Sequence, residues 1–215
     1  MATVLTPFSD INAVNRILST VGAEKIASLS GLSLIGDIAY TDLKNSMRDL
    51  MSHPWGFNTE YDVVLTPSAN AITIPDNIAS VDLAANDARS LNVVVRDDAG
   101  TRKLWDRESH SFTAFTGTAY DAIVTYYLDF ADCPEIVKIY ITAMAAINFQ
   151  ASQVGNAQID RILRAQLVAA KAAFESYETA QEAWSVWDNY DFYKIVSGAQ
   201  RPHIGGGGPA WWGSR

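Results

Sequence analysis

One cysteine, Cys133, is all that this chain of 215 residues contains, which excludes an intrachain disulfide framework and suits manufacture in a reducing compartment. No stretch approaches the roughly 18 to 20 uninterrupted apolar residues that a membrane span needs. The first residues also lack a basic segment followed by an apolar run, so neither secretion nor membrane insertion is expected. Positive charge is scarce as well: 16 Lys and Arg stand against 24 Asp and Glu, a net charge of −8. A protein built to grip phosphate needs clustered cations, so that balance argues against nucleic-acid binding as its task. What the chain does have is apolar content, 48% hydrophobic against 19% charged, enough to bury a real core in one domain or two small ones.

The apolar residues at the start recur with helical period. Ser9 is placed to cap a helix whose Ile11, Val14, Leu18 and Val21 share a face, and Gly22 falls where a left-handed terminal turn is expected. A second helix is predicted from Ser33 towards His53, with Ile38, Met47, Leu50 and Met51 apolar and Asp42, Lys44, Arg48 and Asp49 solvated, until Pro54 ends it. Near the other end, Asp132, Pro134 and Glu135 read as a helix start, with a stripe of Ile136, Ile139, Tyr140, Ala143, Ile147 and Val154. Asn156 then caps the longest element, which runs to about Trp187 on a stripe of Ile159, Leu163, Leu167, Ala170, Phe174, Tyr177, Trp184 and Trp187. Asp160 and Arg164 are spaced as an i,i+4 pair.

Between these helices the period changes to two. Phe57, Thr59, Tyr61, Val63 and Leu65 alternate with Asn58, Glu60 and Asp62 as a half-buried strand. Ala71 to Ile74 reads as a second strand, and Leu91 to Val95 with Thr101 to Trp105 as a hairpin across Asp97-Asp98-Ala99-Gly100. Ala122 to Leu128, dense in β-branched and aromatic residues, reads as a central strand. The expectation is an α+β chain: residues 1–54 and 132–187 form a helical bundle from both chain ends, and 55–131 an inserted antiparallel β domain. Residues 188–215, aromatic and then Gly-rich, are expected to be a flexible tail.

The search for chemistry returns little. His53, His110 and His203 lie on different predicted elements without a ligand partner at metal-binding spacing, so no metal or cofactor is expected. Cys133 falls in the first turn of a helix, where the macrodipole favours a thiolate, yet no base is identifiable and a small half-buried residue is the better reading. Gly205 to Gly208 lacks the continuation of a phosphate loop and reads as a linker. Glu60 with Asp62, or Asp97 with Asp98, are the carboxylate pairs that glycan cleavage would call on, and both are better explained as solvent-facing strand or turn residues. No enzyme is expected.

Two stretches at fixed order and spacing carry a resemblance. Asn12-Ala13-Val14-Asn15-Arg16-Ile17-Leu18 continues to Val21-Gly22-Ala23-Glu24, with Ser28 to Leu29 or Ser30 to Leu32 after it, and a long helix then ends in Trp55-Gly56-Phe57-Asn58. Their conjunction resembles the opening of the tail tubular protein A family of short-tailed bacteriophages, and a weaker likeness continues to about residue 190. The resemblance implies a structural virion protein, one subunit of a twelvefold adaptor ring between portal protein and tail nozzle protein. Genome DNA would pass through that ring without specific binding. It implies a place in the virion tail at the head–tail junction, reached from the host cytoplasm during assembly. The alternatives are a tail-associated peptidoglycan hydrolase, as sole or second activity, and the head-completion connector of a longer-tailed phage.

Two sets of residues are candidates for that work. Trp184, Trp187, Tyr190, Phe192, Tyr193, Trp211 and Trp212 concentrate aromatic side chains without interleaved cations, which points to packing or a protein interface rather than base stacking. From Trp55 to Ala131, eleven acidic residues face five basic ones, so that this region carries −6 of the net −8. A DNA conduit is best lined with charge of the same sign as phosphate, and Asp97 and Asp98 are the foremost channel candidates.

Overall fold

A computed structural model describes residues 6–83 and 92–188, with side chains to residue 181. The chain divides into two units, 1–178 and 179–215, and the description below concerns the first unless stated. Among the described residues the class is α+β: four α-helices and five strands, the strands all antiparallel in two small sheets.

The helices are α1 (Asp10–Ser19), α2 (Leu34–Met51), α3 (Glu135–Gln153) and α4 (Ala157–Asp188). The side chains of Ser9 and Ser33 cap α1 and α2 by accepting from Asn12 N and Gly36 N, each at 3.3 Å. Asn156 Oδ1 caps α4, accepting from Gln158 N at 2.8 Å and Ile159 N at 3.2 Å. The start of α3 differs from the sequence expectation. Asp132 belongs to a separate 3-10 turn, Phe130–Asp132, and Pro134 occupies the cap position without a side-chain bond. The Glu135 carboxylate instead accepts the amide of Phe8 at 3.1 and 3.2 Å, so it ties the chain before α1 to α3 rather than capping its own helix.

One apolar core joins the helices. Val14, Ile17, Leu18, Leu43, Met51, Val137, Ile141 and Phe149 are buried in it, and α4 reaches the same core through Leu163 and Phe174. The stripe expected of α3 is too narrow: Val137, Lys138, Ile141, Thr142, Ala145 and Gln150 are buried too, and both α1 and α2 pack against this helix. A helix enclosed in this way is apolar nearly all round. Val154, placed on that stripe by period alone, is exposed, since α3 has ended before it. Buried Lys138 sends its ammonium to Glu135 at 3.2 Å.

The strands are β1 (Thr59–Leu65), β2 (Ile78–Leu83), β3 (Val93–Asp98), β4 (Thr101–Asp106) and β5 (Tyr120–Tyr126). β5 is central in the order β1-β5-β2, as its composition implied, while β3 and β4 form a separate ribbon. Their core comprises Ile72, Ile74, Ile78, Val81, Leu83, Leu104, Phe115, Tyr120, Ala122 and Val124. Ala71 to Ile74 is not a strand of its own. It makes isolated contacts, Leu104 N donating to Ile72 O at 3.0 Å and Ile74 N to Arg102 O at 2.8 Å, and delivers both isoleucines to the core. The second strand lies later, at β2. The alternation expected from Phe57 to Leu65 is also broken: Tyr61 is 68% exposed and Asn58 is buried. Between Glu60 and Val63 the register against β5 shifts, so Tyr61 and Asp62 together oppose Ile123, and Asp62 adopts φ 58. This is a β-bulge, and everything before it changes face.

The turn Trp55-Gly56-Phe57-Asn58 is where the helical and β cores are fastened. Asn58 Nδ2 donates to Met51 O (3.0 Å), Tyr126 O (3.2 Å) and His53 O (3.3 Å), and its Oδ1 accepts from Trp55 N at 2.8 Å. Trp55 Nε1 donates to Leu50 O at 2.9 Å, and the Gly56 amide donates to the buried Glu178 carboxylate at 2.6 Å. Phe174 lies edge-on to Trp55 at 4.9 Å and to Phe57 at 6.1 Å, and stacks on Tyr140 at 5.1 Å. Asn58→Ala removes the two N–H donors that three backbone carbonyls share. We expect a loss of about 3 kcal/mol in urea-unfolding free energy, against less than about 0.5 kcal/mol for the exposed Asn45→Ala.

Candidate assembly surfaces

The second sequence signature serves a similar end. Asn15 accepts from Ile26 N at 2.7 Å and donates to Ile26 O at 2.9 Å, so one side chain holds both backbone groups of the loop after α1. Nothing in either asparagine cluster is arranged to transform a substrate. Both fix backbone, and both are structural.

The chemical candidates fare the same way. Among the described residues no three His, Cys, Asp or Glu side chains gather at metal-binding distance. His110 adopts φ 51 in the turn after β4 with its ring 6.5 Å from Trp105, and His203 lies outside the described residues. Cys133 is 4% exposed, and burial pushes its thiol up to about 12 even though Lys138 pulls the other way. The expected help from a helix terminus is absent because Cys133 precedes the α3 cap position. The Asp106 carboxylate is held below the usual range, first by the Ser109 hydroxyl and then by the amides of Ser109 and Glu108, which it accepts as a turn brace. Burial raises Asp42.

The nominated carboxylate pairs are explained by the sheets. The bulge separates Glu60, which stands opposite Val124, from Asp62. Glu60 bonds to Tyr126, whose hydroxyl is raised by burial first and then by that carboxylate. Asp97 and Asp98 are strand residues rather than loop residues, since the reversal needs only Ala99 (φ 52) and Gly100 (φ 84). Both central residues at positive φ define the tight turn that suits a twisted hairpin. Asp97 accepts the Gly100 amide at 2.9 Å, and Asp98 pairs with Lys103 at 2.7 Å. The ribbon tip is therefore less negative than its two adjacent aspartates imply.

Three surface features stand out among the described residues. A cleft of about 540 Å³ lies between α2 and the β region, floored by Met47, Met51 and Phe130. Its rim sets Lys44, Arg48 and Arg102 against Asp10, Asp76 and Asp129, and Arg102 is already spent on Pro75 O and Ile78 O at 2.8 and 2.7 Å. Neither sign of charge converges there. The second feature is the outer face of α4, where Ile162 is 59% and Val168 68% exposed. The third is Tyr61 on its bulge. The α4 backbone carries Trp184 and Trp187, but their side chains lie outside the described residues, as do Tyr190, Phe192, Tyr193, Trp211 and Trp212. Sequence reasoning missed Tyr61, Ile162 and Val168. Exposed apolar residues at 162, 165, 168 and 169 were a readable signal, masked by the stronger inner stripe.

A thiol titrating near 12 stays protonated at pH 8, so Cys133 of the native protein should not react with a thiol reagent over an hour. Full labelling is expected once urea unfolds the chain. Because the folded thiol is raised, its contribution to stability is complete below the unfolded value and is lost as pH climbs from there towards 12.

No curated protein matches the chain. The tail tubular protein family model does, over residues 11–184, a span that takes in the Asn15 and Asn58 clamps and all four helices but for a residue or a few at either end. Over most of its length, then, this is a phage tail structural protein, and the chain belongs to the tail tubular protein family.

Proposed function

We propose that the protein is a subunit of a twelvefold adaptor ring at the head–tail junction, set between portal protein and nozzle protein and extending the DNA ejection conduit. The family match over residues 11–184 carries this reading. Both asparagine clamps agree with it, because they spend the polar side chains of the signature sequences on rigidity rather than on chemistry. The subunit is made in the host cytoplasm and works in the virion. Its aromatic segment from Trp184 to Trp212 is the proposed anchor on a neighbouring ring, since large aromatic side chains dominate interface energetics.

Electron microscopy of the purified protein mixed with its portal protein tests the reading. A twelvefold ring stacked on one end of the portal is the expected result. No binding, or cell-wall degradation abolished by a single Asp or Glu substitution in a folded variant, would favour the hydrolase instead.

The acidic surface of the β region is the proposed lining of the conduit, with Asp97 and Asp98 on the β3–β4 ribbon among its members. Attraction to phosphate at fixed points would make passage stepwise, whereas like charge lets DNA slide. Replacing both aspartates by Lys should leave assembly intact and slow ejection, with a larger effect at low salt where screening is weak. Ejection kinetics that do not depend on ionic strength in that variant would place this ribbon on the outside of the ring.

A further inference from the structure

We infer that two exposed features of this chain are the halves of one head-to-tail contact: Tyr61, lifted on the β1 bulge of one copy, seats in the depression formed by Ile162, Ala165, Gln166 and Ala169 on α4 of a second copy, with Asp62 facing Arg161. The inference rests on the ring reading above and names the surfaces that build it.

The bulge supplies the first half. Asp62 is held at φ 58, a conformation that costs an L-residue about 1 kcal/mol. Neither apolar core uses the displaced residue, for Tyr61 belongs to neither and is 68% exposed. Bulges characteristically re-aim a side chain, and here the side chain re-aimed is a large amphipathic ring on the edge strand of its sheet. An aromatic of that kind is the residue type most enriched at interface centres.

α4 supplies the second half. Its inner stripe is occupied by the helical core, but Arg161, Ile162, Ala165, Gln166 and Ala169 line an open depression on its other side. Residues 162, 165, 166 and 169 stand at i, i+3, i+4 and i+7, the four corners of a hole that accepts one side chain from a facing element. Alanine at two of the corners leaves room for a ring. Exposed Val168 adds apolar surface beside it.

Charge selects a second copy as the occupant. On α4, Arg164 is paired with Asp160 and Lys171 with Glu175, whereas Arg161 has no carboxylate partner among the described residues. Asp62, next to Tyr61, likewise has no cation partner among them. A cation without an ion pair among the described residues borders the hole, and a carboxylate without one borders the side chain that would fill it. The two halves are different surfaces of one chain, so pairing them between copies is heterologous, the interface type that closes into rings.

Cross-linking in assembled particles tests this. Full-length Tyr61→Cys/Ala165→Cys, built into tails and treated with a short bis-maleimide, should give a ladder of covalent oligomers, and either single variant should give none. Native Cys133 is buried and does not interfere. Rings that contain the double variant yet yield no ladder would overturn the contact while leaving the ring reading intact, and particles without a ring of this protein would overturn both. If the cysteines block incorporation, charge exchange decides: Asp62→Arg or Arg161→Asp alone should lower incorporation by about tenfold, and the two together should restore it. Additive losses without restoration would overturn the pairing.

Discussion

A single buried amide links the helical core to the β sheet. Asn58 spends its nitrogen on the last turns of α2 and on β5, and its oxygen on the turn that contains it. The helical core and the β core have separate sets of side chains, and what passes between them here is mostly backbone. Backbone carbonyls leaving a helix or a sheet need donors, and an amide side chain supplies donors and an acceptor on one rigid plane. Beside Asn58, Trp55 and Phe57 both lie edge-on to Phe174.

That arrangement accounts for the asparagines in the two stretches of this chain that carry the family resemblance. Asn15 is half-buried and Asn58 buried, and the side chain of each bonds to backbone. Each satisfies main-chain atoms where one element gives way to the next. Side chains that lock chain reversals into fixed geometry supply a directional restraint that additional apolar area does not.

α4 divides its labour between two faces. Leu163 and Phe174 bind it to the helical core, while Ile162 and Val168 remain at the surface with Ala165 between them. The polar groups on that surface pair mainly along the helix, Arg164 with Asp160 at 2.7 Å and Lys171 with Glu175 at 3.5 Å. Exposed pairs of this kind add little stability. The β3–β4 ribbon shows a related economy, since Lys103 neutralises one of its two adjacent aspartates. Net charge counted over a stretch of sequence therefore overstates the field at any one place on the surface.

Local rules determined much of this protein. Ser9, Ser33 and Asn156 mark helix starts because a side-chain oxygen reaches amides only two or three residues ahead. The inner stripe of α4 from Ile159 to Tyr177 and the central place of β5 follow from period and from composition. Tertiary structure decided the rest, wherever the deciding partner is distant in sequence. Pairing with β5 creates the bulge that exposes Tyr61, and Met51 and Tyr126 together bury Asn58. α1 and α2 enclose α3 and so bury its Lys138, while Phe8 draws Glu135 away from capping. In each case the residue's own neighbours in the chain permit several outcomes, and the choice among them belongs to groups brought alongside only when the chain folds.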